Sequence, residues 1–294
     1  KYIPKSVVRG VHLSTGILLM VQGVKLMLGT STLQEIHGAV EPYLWVQAIG
    51  PVPIGIIIGV AGTCLTLVLL GNKRFPAGLI VVVAGLVLGL IFGNRAGLNA
   101  LRVGIHLPPF LPFGWPTQAD FTFALFALVL PQMPMTVGNA VIAYTDLSES
   151  YFKEQSNKVT YRSATISMAI ANFLSSTFGG MPLCHGAGGL AAHYRFGART
   201  AGSNIMIGGA FIFLAFLLGE QSLSIINLLP LAVLGILLLF AGGELCLTIL
   251  DLTRRKDLFV SLVILGITLA TNLAAGFIAG IAVAYLLKYG KLDV

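Results

Sequence analysis

Apolar runs close to the length of a bilayer crossing recur from one end of this chain to the other, and they restrict its backbone severely. In hydrocarbon every N–H and C=O must find a partner inside the protein, so such runs read as helices. They fall at about 3–28, 53–70, 77–92, 121–144, 163–178, 203–218 and 225–249. The last one, Leu258 to Leu287, is too long for one untilted crossing and short for two at about 20 residues each. Two shortened helices joined near Asn272 or Gly276 fit it. Charged residues make up 10% of the chain and hydrophobic ones 56%, whereas a soluble domain carries about 25% charged residues. The reading is an all-α polytopic membrane protein.

The net charge of +7 does not point to nucleic acid, because the basic residues sit in short loops between apolar runs and read as topology signals. With the last stretch as a hairpin, about ten passes put all but Lys25, Arg95 and Arg102 of the 18 basic residues on one side. Both ends of the chain are then expected in the cytoplasm. The connection at 29–50 carries Glu35 and Glu41, with Tyr43 and Trp45 suited to an interfacial belt. Cys64, Cys184 and Cys246 have unrelated spacings and suggest neither a disulfide framework nor a metal site. Residue 1 is Lys with no signal peptide after it, so the chain reads as the later part of a longer protein.

Residues 179–200 stand apart from this pattern. Gly179, Gly180 and Pro182 break a helix arriving from upstream, and Gly186, Gly188 and Gly189 let backbone approach a ligand closely. An extended segment followed by a half-helix is expected. Such a half-helix begins with N–H groups lacking intrahelical partners and a partial charge of about +0.5, which suits an anion. At bilayer depth, broken backbone is tolerated where it is buried in protein or lines a wet cavity. The fourth run is also unusual, with Pro131, Gln132, Pro134, Thr136, Gly138 and Asn139 at mid-span, and reads as a second broken segment. A fainter feature is the likeness of Pro4–Gly10 to Pro230–Gly235, which suggests inverted repeats.

The stretches Pro131–Asn139 and Gly180–Arg199 resemble the two signature motifs of the molybdate transporter family, a branch of the sulfate permease superfamily. Ile3-Pro4 to Gly10 is similar to the start of that family's fifth helix. The resemblance covers most of the chain. It implies two inverted repeats of seven helices, of which this chain supplies helices five to fourteen. It also implies an elevator-like shift of a core, residues 121–218, against gate helices at 1–93 and 222–290, with an extracytoplasmic loop at 94–120.

A tetrahedral dianion needs several N–H or O–H donors and no carboxylate facing it. Gln132, Thr136, Asn139, Cys184 and His185, with the amides around Gly186, Ala187, Gly188 and Gly189, are the expected substrate-binding set. No Asp or Glu occurs between Phe121 and Thr145, or between Tyr161 and Leu218. Each side chain also has a plainer role: Gln132 would satisfy carbonyls freed by the prolines, and Thr136 and Asn139 would bond neighbouring helices. His185 would donate to a carbonyl, and Cys184 would be a small packed side chain. His193, Arg195 and Arg199 read as snorkelling groups at the cytoplasmic end of the half-helix.

The expected function is secondary transport of molybdate or sulfate across the cell membrane, with molybdate preferred by the resemblance alone. A second copy of the chain is a candidate partner; no cofactor and no nucleic acid is expected. A non-transporting oxyanion sensor is the other class. An enzyme using Cys184 and His185 is disfavoured, since adjacent side chains point apart and no carboxylate orients them. No Gly-x-x-x-x-Gly-Lys-Ser/Thr loop is present, so the energy would come from an ion gradient, the membrane potential or another subunit.

Overall fold

A computed structural model describes residues 3–72, 75–93 and 101–290. Lys1, Lys73, Arg74, Arg95 and Lys291, used above to orient the chain, lie outside the described residues, as does part of the 94–120 loop. The fold is mostly helical. Its elements are α1 (Lys5–Leu28), α2 (Thr32–His37), a two-stranded hairpin β1 (Ala48–Ile49) and β2 (Val52–Pro53), α3 (Ile54–Leu69) and α4 (Ala77–Phe92). Then come α5 (Gln118–Ser156), α6 (Tyr161–Thr177), α7 (Ala187–Arg195), α8 (Gly202–Leu218) and the short α9 (Ser222–Ile226). The chain ends with α10 (Leu231–Leu247), α11 (Arg255–Ala270) and α12 (Leu273–Tyr289).

Among the described residues, four helical stretches are long and apolar enough to cross a membrane: Lys5–His37, Gln118–Ser156, Gly202–Ile226 and Leu231–Asp251. Ile54–Leu69, Ala77–Phe92 and Leu273–Tyr289 are shorter apolar helices. The local sequence explains the ends. Pro4 and Pro230 precede α1 and α10, and each carbonyl accepts the N–H three residues on, from Val7 and Val233, at 3.0 Å. Pro230 therefore divides the run read as 225–249: the part before it belongs to α9 and a turn. Leu258–Leu287 is indeed two helices, broken at Thr271–Asn272, where the Asn272 side chain accepts the Ala275 N–H at 2.9 Å.

The chain divides into two compact units. One comprises Leu19–Pro108 and Ala192–Ala241. Its core holds Leu44, Ile58, Val81, Ala232, Val233 and Ile236. Between helices in lipid the apolar effect is largely absent, so close packing must hold such elements together. Gly23 and Gly235 show how close the packing is. A Cβ on Gly23 would meet the Gly235 carbonyl oxygen at 2.6 Å, and one on Gly235 would meet the Gly23 oxygen at 2.5 Å. Glu41, expected in a polar connection, is fully buried here, and its two carboxylate oxygens accept the Leu231 and Ala232 amides at 2.8 and 2.7 Å. The start of α10 thus has a carboxylate cap supplied from a distant loop. Burial pushes the Glu41 carboxyl up to about 7, against the lowering effect of those two bonds.

The other unit comprises Lys1–Leu18, Pro109–Ala191 and Gly242–Val294. Here α11 and α12 pack antiparallel: a Cβ on Gly276 would fall 2.8 Å from the Ile264 carbonyl oxygen. The Gly138 backbone lies against the Phe277 ring, 3.2 Å from where its Cβ would be. All the expected substrate-binding residues fall in this unit.

Candidate oxyanion site

The site is built on α5, α6 and the segment that joins α6 to α7. α5 is not broken at its prolines, contrary to the expectation above. It is ordinary α-helix over Gln118–Phe123, Leu130–Met135 and Tyr144–Phe152, and π-helix over Ala124–Val129 and Thr136–Ala143. A proline lacks an N–H and its ring collides with the carbonyl four residues back. Widening to the i→i+5 pattern moves that carbonyl away and lets the helix continue. The Leu130 N–H, for example, reaches the Leu125 carbonyl.

The glycine-rich segment does break, as its composition suggested. After α6, Gly179 takes φ of +73°, a conformation that glycine adopts without strain. Residues 180–186 then run without helix until α7 begins at Ala187. Two α6 side chains hold this extended run. Asn172 donates Nδ2–H to the Leu183 carbonyl and accepts the Leu183 N–H on Oδ1, both at 2.8 Å. Ser175 donates to the Met181 carbonyl at 2.8 Å. Backbone that would lack partners in an apolar setting is satisfied by side chains instead.

At the end of this run the expected residues converge in part. His185 Nε2 lies 2.7 Å from Ser167 Oγ on α6, and its ring packs at 5.7 Å from that of Tyr144 on α5. Asn139, 7% exposed, faces Gly186: its Nδ2 is 3.5 Å from the position of a Cβ there, and Cys184 Sγ is 3.6 Å from it. The Asn139 Oδ1 is buried with no hydrogen-bond partner among the described residues. An amide rotates by 180° at little geometric cost, so this side chain can turn an N–H toward an acceptor placed on either side. Ala187 is fully buried, and Gly189 donates its N–H to the Gly186 carbonyl at 3.2 Å. Like those of any helix, the first-turn amides of α7 lack the carbonyls of a preceding turn.

Gln132 and Thr136 are not joined to this group. Gln132 is exposed, with Nε2 3.5 Å from Met135 Sδ on its own helix, and among the described residues no hydrogen bond links it or Thr136 to residues 184–189. Nor, among the described residues, does Gln132 bond a carbonyl released by a proline. Cys184 is exposed with a free thiol. In the other unit, Arg199 donates to the Tyr194 carbonyl and lies 3.5 Å over the Tyr194 ring, a closing contact on the last turn of α7.

Tyr144, Ser167, Asn172 and Ser175 were missed by reading the sequence. Asn172 and Ser175 lie three apart on α6, a spacing that puts both on one helix face. Tyr144 offered no local sign, since its role depends on how α5 approaches residue 185.

The family sequence profile described as "Molybdate transporter of MFS superfamily" matches residues 124–245, which include every residue of the candidate site. Molybdate transporter 2 of Arabidopsis thaliana is 30% identical over 99% of this chain and 67% of its own length. The chain belongs to the molybdate transporter family. Two further relatives of the family are Molybdate transporter 1 of Arabidopsis thaliana, 39% identical over 55% of this chain, and Molybdate transporter 1 of Chlamydomonas reinhardtii, 36% identical over 71%. The chain spans 36% and 40% of those two relatives' lengths. The family is one of transporters, not of enzymes, and its apolar helices make the chain a multi-pass membrane protein.

Proposed function

We propose that this chain carries the oxyanion site of a secondary transporter whose substrate is molybdate. The observation that carries the reading is the start of α7 set against the buried Asn139. Amides of a helix start, one carboxamide, and His185 and Tyr144 nearby provide donors without a carboxylate among them. An anion at a helix N-terminus gains roughly 0.3–1 kcal/mol from the dipole, and up to about 2 when partly buried. Several such donors together give a reversible site rather than a trap. Gln132 and Thr136 remain in the proposed set as groups that line the approach along α5.

A dianion moving into a negative-inside compartment costs roughly 4–5 kcal/mol per 100 mV. Uptake against that potential is coupled to a co-transported cation or proton, to exchange for an internal anion, or to another subunit. In this account the residues 121–218 form a core that moves by an elevator-like shift against gate helices at 1–93 and 222–290. About ten passes place both ends of the chain in the cytoplasm, in the cell membrane. The shared start of α1 and α10, each following a proline with the same pair of carbonyl contacts, supports two inverted repeats of the sulfate permease kind.

The test is radiolabelled molybdate uptake by the full-length protein, with sulfate as competitor. Saturable uptake that resists excess sulfate supports the molybdate reading. Equal competition makes the protein a general oxyanion permease. Binding without uptake by folded protein makes it a sensor.

A further inference from the structure

Two side chains of α1, three residues apart, grip one turn of α5. His12 is fully buried, and its Nε2 lies 3.0 Å from the Ala143 carbonyl. A carbonyl can only accept, so Nε2 carries the proton. Nδ1 is then the acceptor of a neutral ring, 3.4 Å from Arg9 Nη1 and 3.3 Å from Thr248 Oγ1. The Thr248 hydroxyl is already committed to the Leu245 carbonyl at 2.7 Å. That leaves the Arg9 N–H as the donor facing Nδ1.

Arg9 is 4% exposed and donates through Nη1 to Asp146. Its Nε and Nη2 donate to Asp251 at 3.0 and 2.7 Å, and Lys5 reaches the same carboxylate at 2.8 Å. The group holds two cations and two carboxylates, so its charges cancel. Arg9 is the buried member of the group, so its charge is the one left poorly solvated if both carboxylates are removed, whereas loss of Asp146 alone leaves it paired with Asp251.

Tyr144 lies between the two gripped residues, Ala143 and Asp146, and its ring faces His185. Asn139 is four residues before Ala143 in the same π-helical run. π-Helical turns are rare and recur at functional sites, so contacts that hold this run bear directly on the site. We infer that Arg9 and His12 are positioning residues for the oxyanion site in this conformation: His12 holds the Ala143 carbonyl, Arg9 holds Asp146, and together they set Tyr144 and Asn139 against the start of α7. An elevator-like shift of α5 would have to break these contacts. Arg9 also neutralises the carboxylate nearest to Tyr144 in sequence, which would otherwise repel an anionic substrate. This inference rests on the proposed site.

The experiment compares molybdate uptake kinetics of His12→Ala, His12→Gln, Asp146→Asn and Asn139→Ala in the full-length protein, normalised to protein in the membrane. Glutamine offers an N–H near the place of Nε2, so His12→Gln is expected within about threefold of wild type. His12→Ala is expected to raise KM about tenfold with the maximal rate changed less than twofold, a misplacement effect of modest size. Where His12→Ala does not reach the membrane, Asp146→Asn decides, with the same direction expected in KM. A well-folded His12→Ala or Asp146→Asn with unchanged KM overturns the inference, as does an equal loss in His12→Ala and His12→Gln. Indifference to Asn139→Ala contradicts the site itself. Normal dependence on Asn139 with indifference to His12 contradicts only the positioning.

Discussion

Two stretches of one unit carry helix-breaking residues, and they behave oppositely. Pro131 and Pro134 sit in an α-helical stretch of α5 between two π-helical ones, and the helix continues through them. Residues 179–186 abandon the helix altogether. The difference lies in what replaces the missing bonds. A proline deletes one donor, and a local change of pitch absorbs the loss. The glycine segment frees a whole run of donors and acceptors, and the side chains of Asn172 and Ser175 take several of them. A broken helix at membrane depth therefore requires a neighbour with side chains at the right spacing, and α6 supplies it.

The largest test of this contrast is at Gly186. A β-carbon there would make ordinary contacts with Asn139 and Cys184, so Gly186→Ala should keep part of the uptake. Gly186→Leu fills the space between the extended run and α5, and should lower uptake about 100-fold at equal membrane abundance. Equal activity of the two variants would show that the space is not where substrate sits.

Asn172→Ala comes next. It removes both bonds to Leu183, at a cost of about 1–3 kcal/mol for the backbone groups left without partners. A lower melting temperature in detergent and reduced uptake are expected. Asn172→Asp keeps the acceptor for the Leu183 N–H and should fall between it and wild type. Pro134→Ala should do least to the fold, because α5 is already continuous: helix content by circular dichroism stays the same, and any change in melting temperature is upward. A large loss of helix would contradict the continuity of α5 through this proline.

Glu41, in the other unit, provides a control that leaves both stretches untouched. Its folded value of about 7 lies above the ordinary 4.5, so its protonated form favours the folded state. Its contribution is full below pH 4.5 and is lost as pH rises through 7. Melting temperature should thus fall between pH 5 and pH 8 in wild type, and Glu41→Gln should flatten that dependence.

Much of the fold could be read from the sequence because its punctuation is chemical. Pro4 and Asn272 mark helix starts, and the glycines at 179–189 mark a break of several residues. Pro230 was noted as part of the internal likeness, yet the run was begun at 225 because the apolar pattern continues on either side of the proline. The π-turns of α5 were not legible, since proline alone does not say whether a helix breaks or widens. At the site, Asn139, His185 and the α7 start were visible as polar or small residues in apolar surroundings. Tyr144, Ser167 and Asn172 were not, because each acts across two elements. Arg9 and His12 did leave a sign: ionisable residues three apart inside an apolar run are expensive and seldom without a task. Glu41 left none, as its burial depends on a helix 190 residues away in the chain.

The most direct measurement uses Cys184, which is exposed and two residues from Gly186. In a full-length variant with the other cysteines replaced, the rate of maleimide labelling at Cys184 is followed as molybdate is added. Occupation of the α7 start predicts saturable protection, lost in Asn139→Ala and absent with chloride. A labelling rate unchanged at molybdate concentrations that saturate uptake would place the substrate elsewhere and contradict the account.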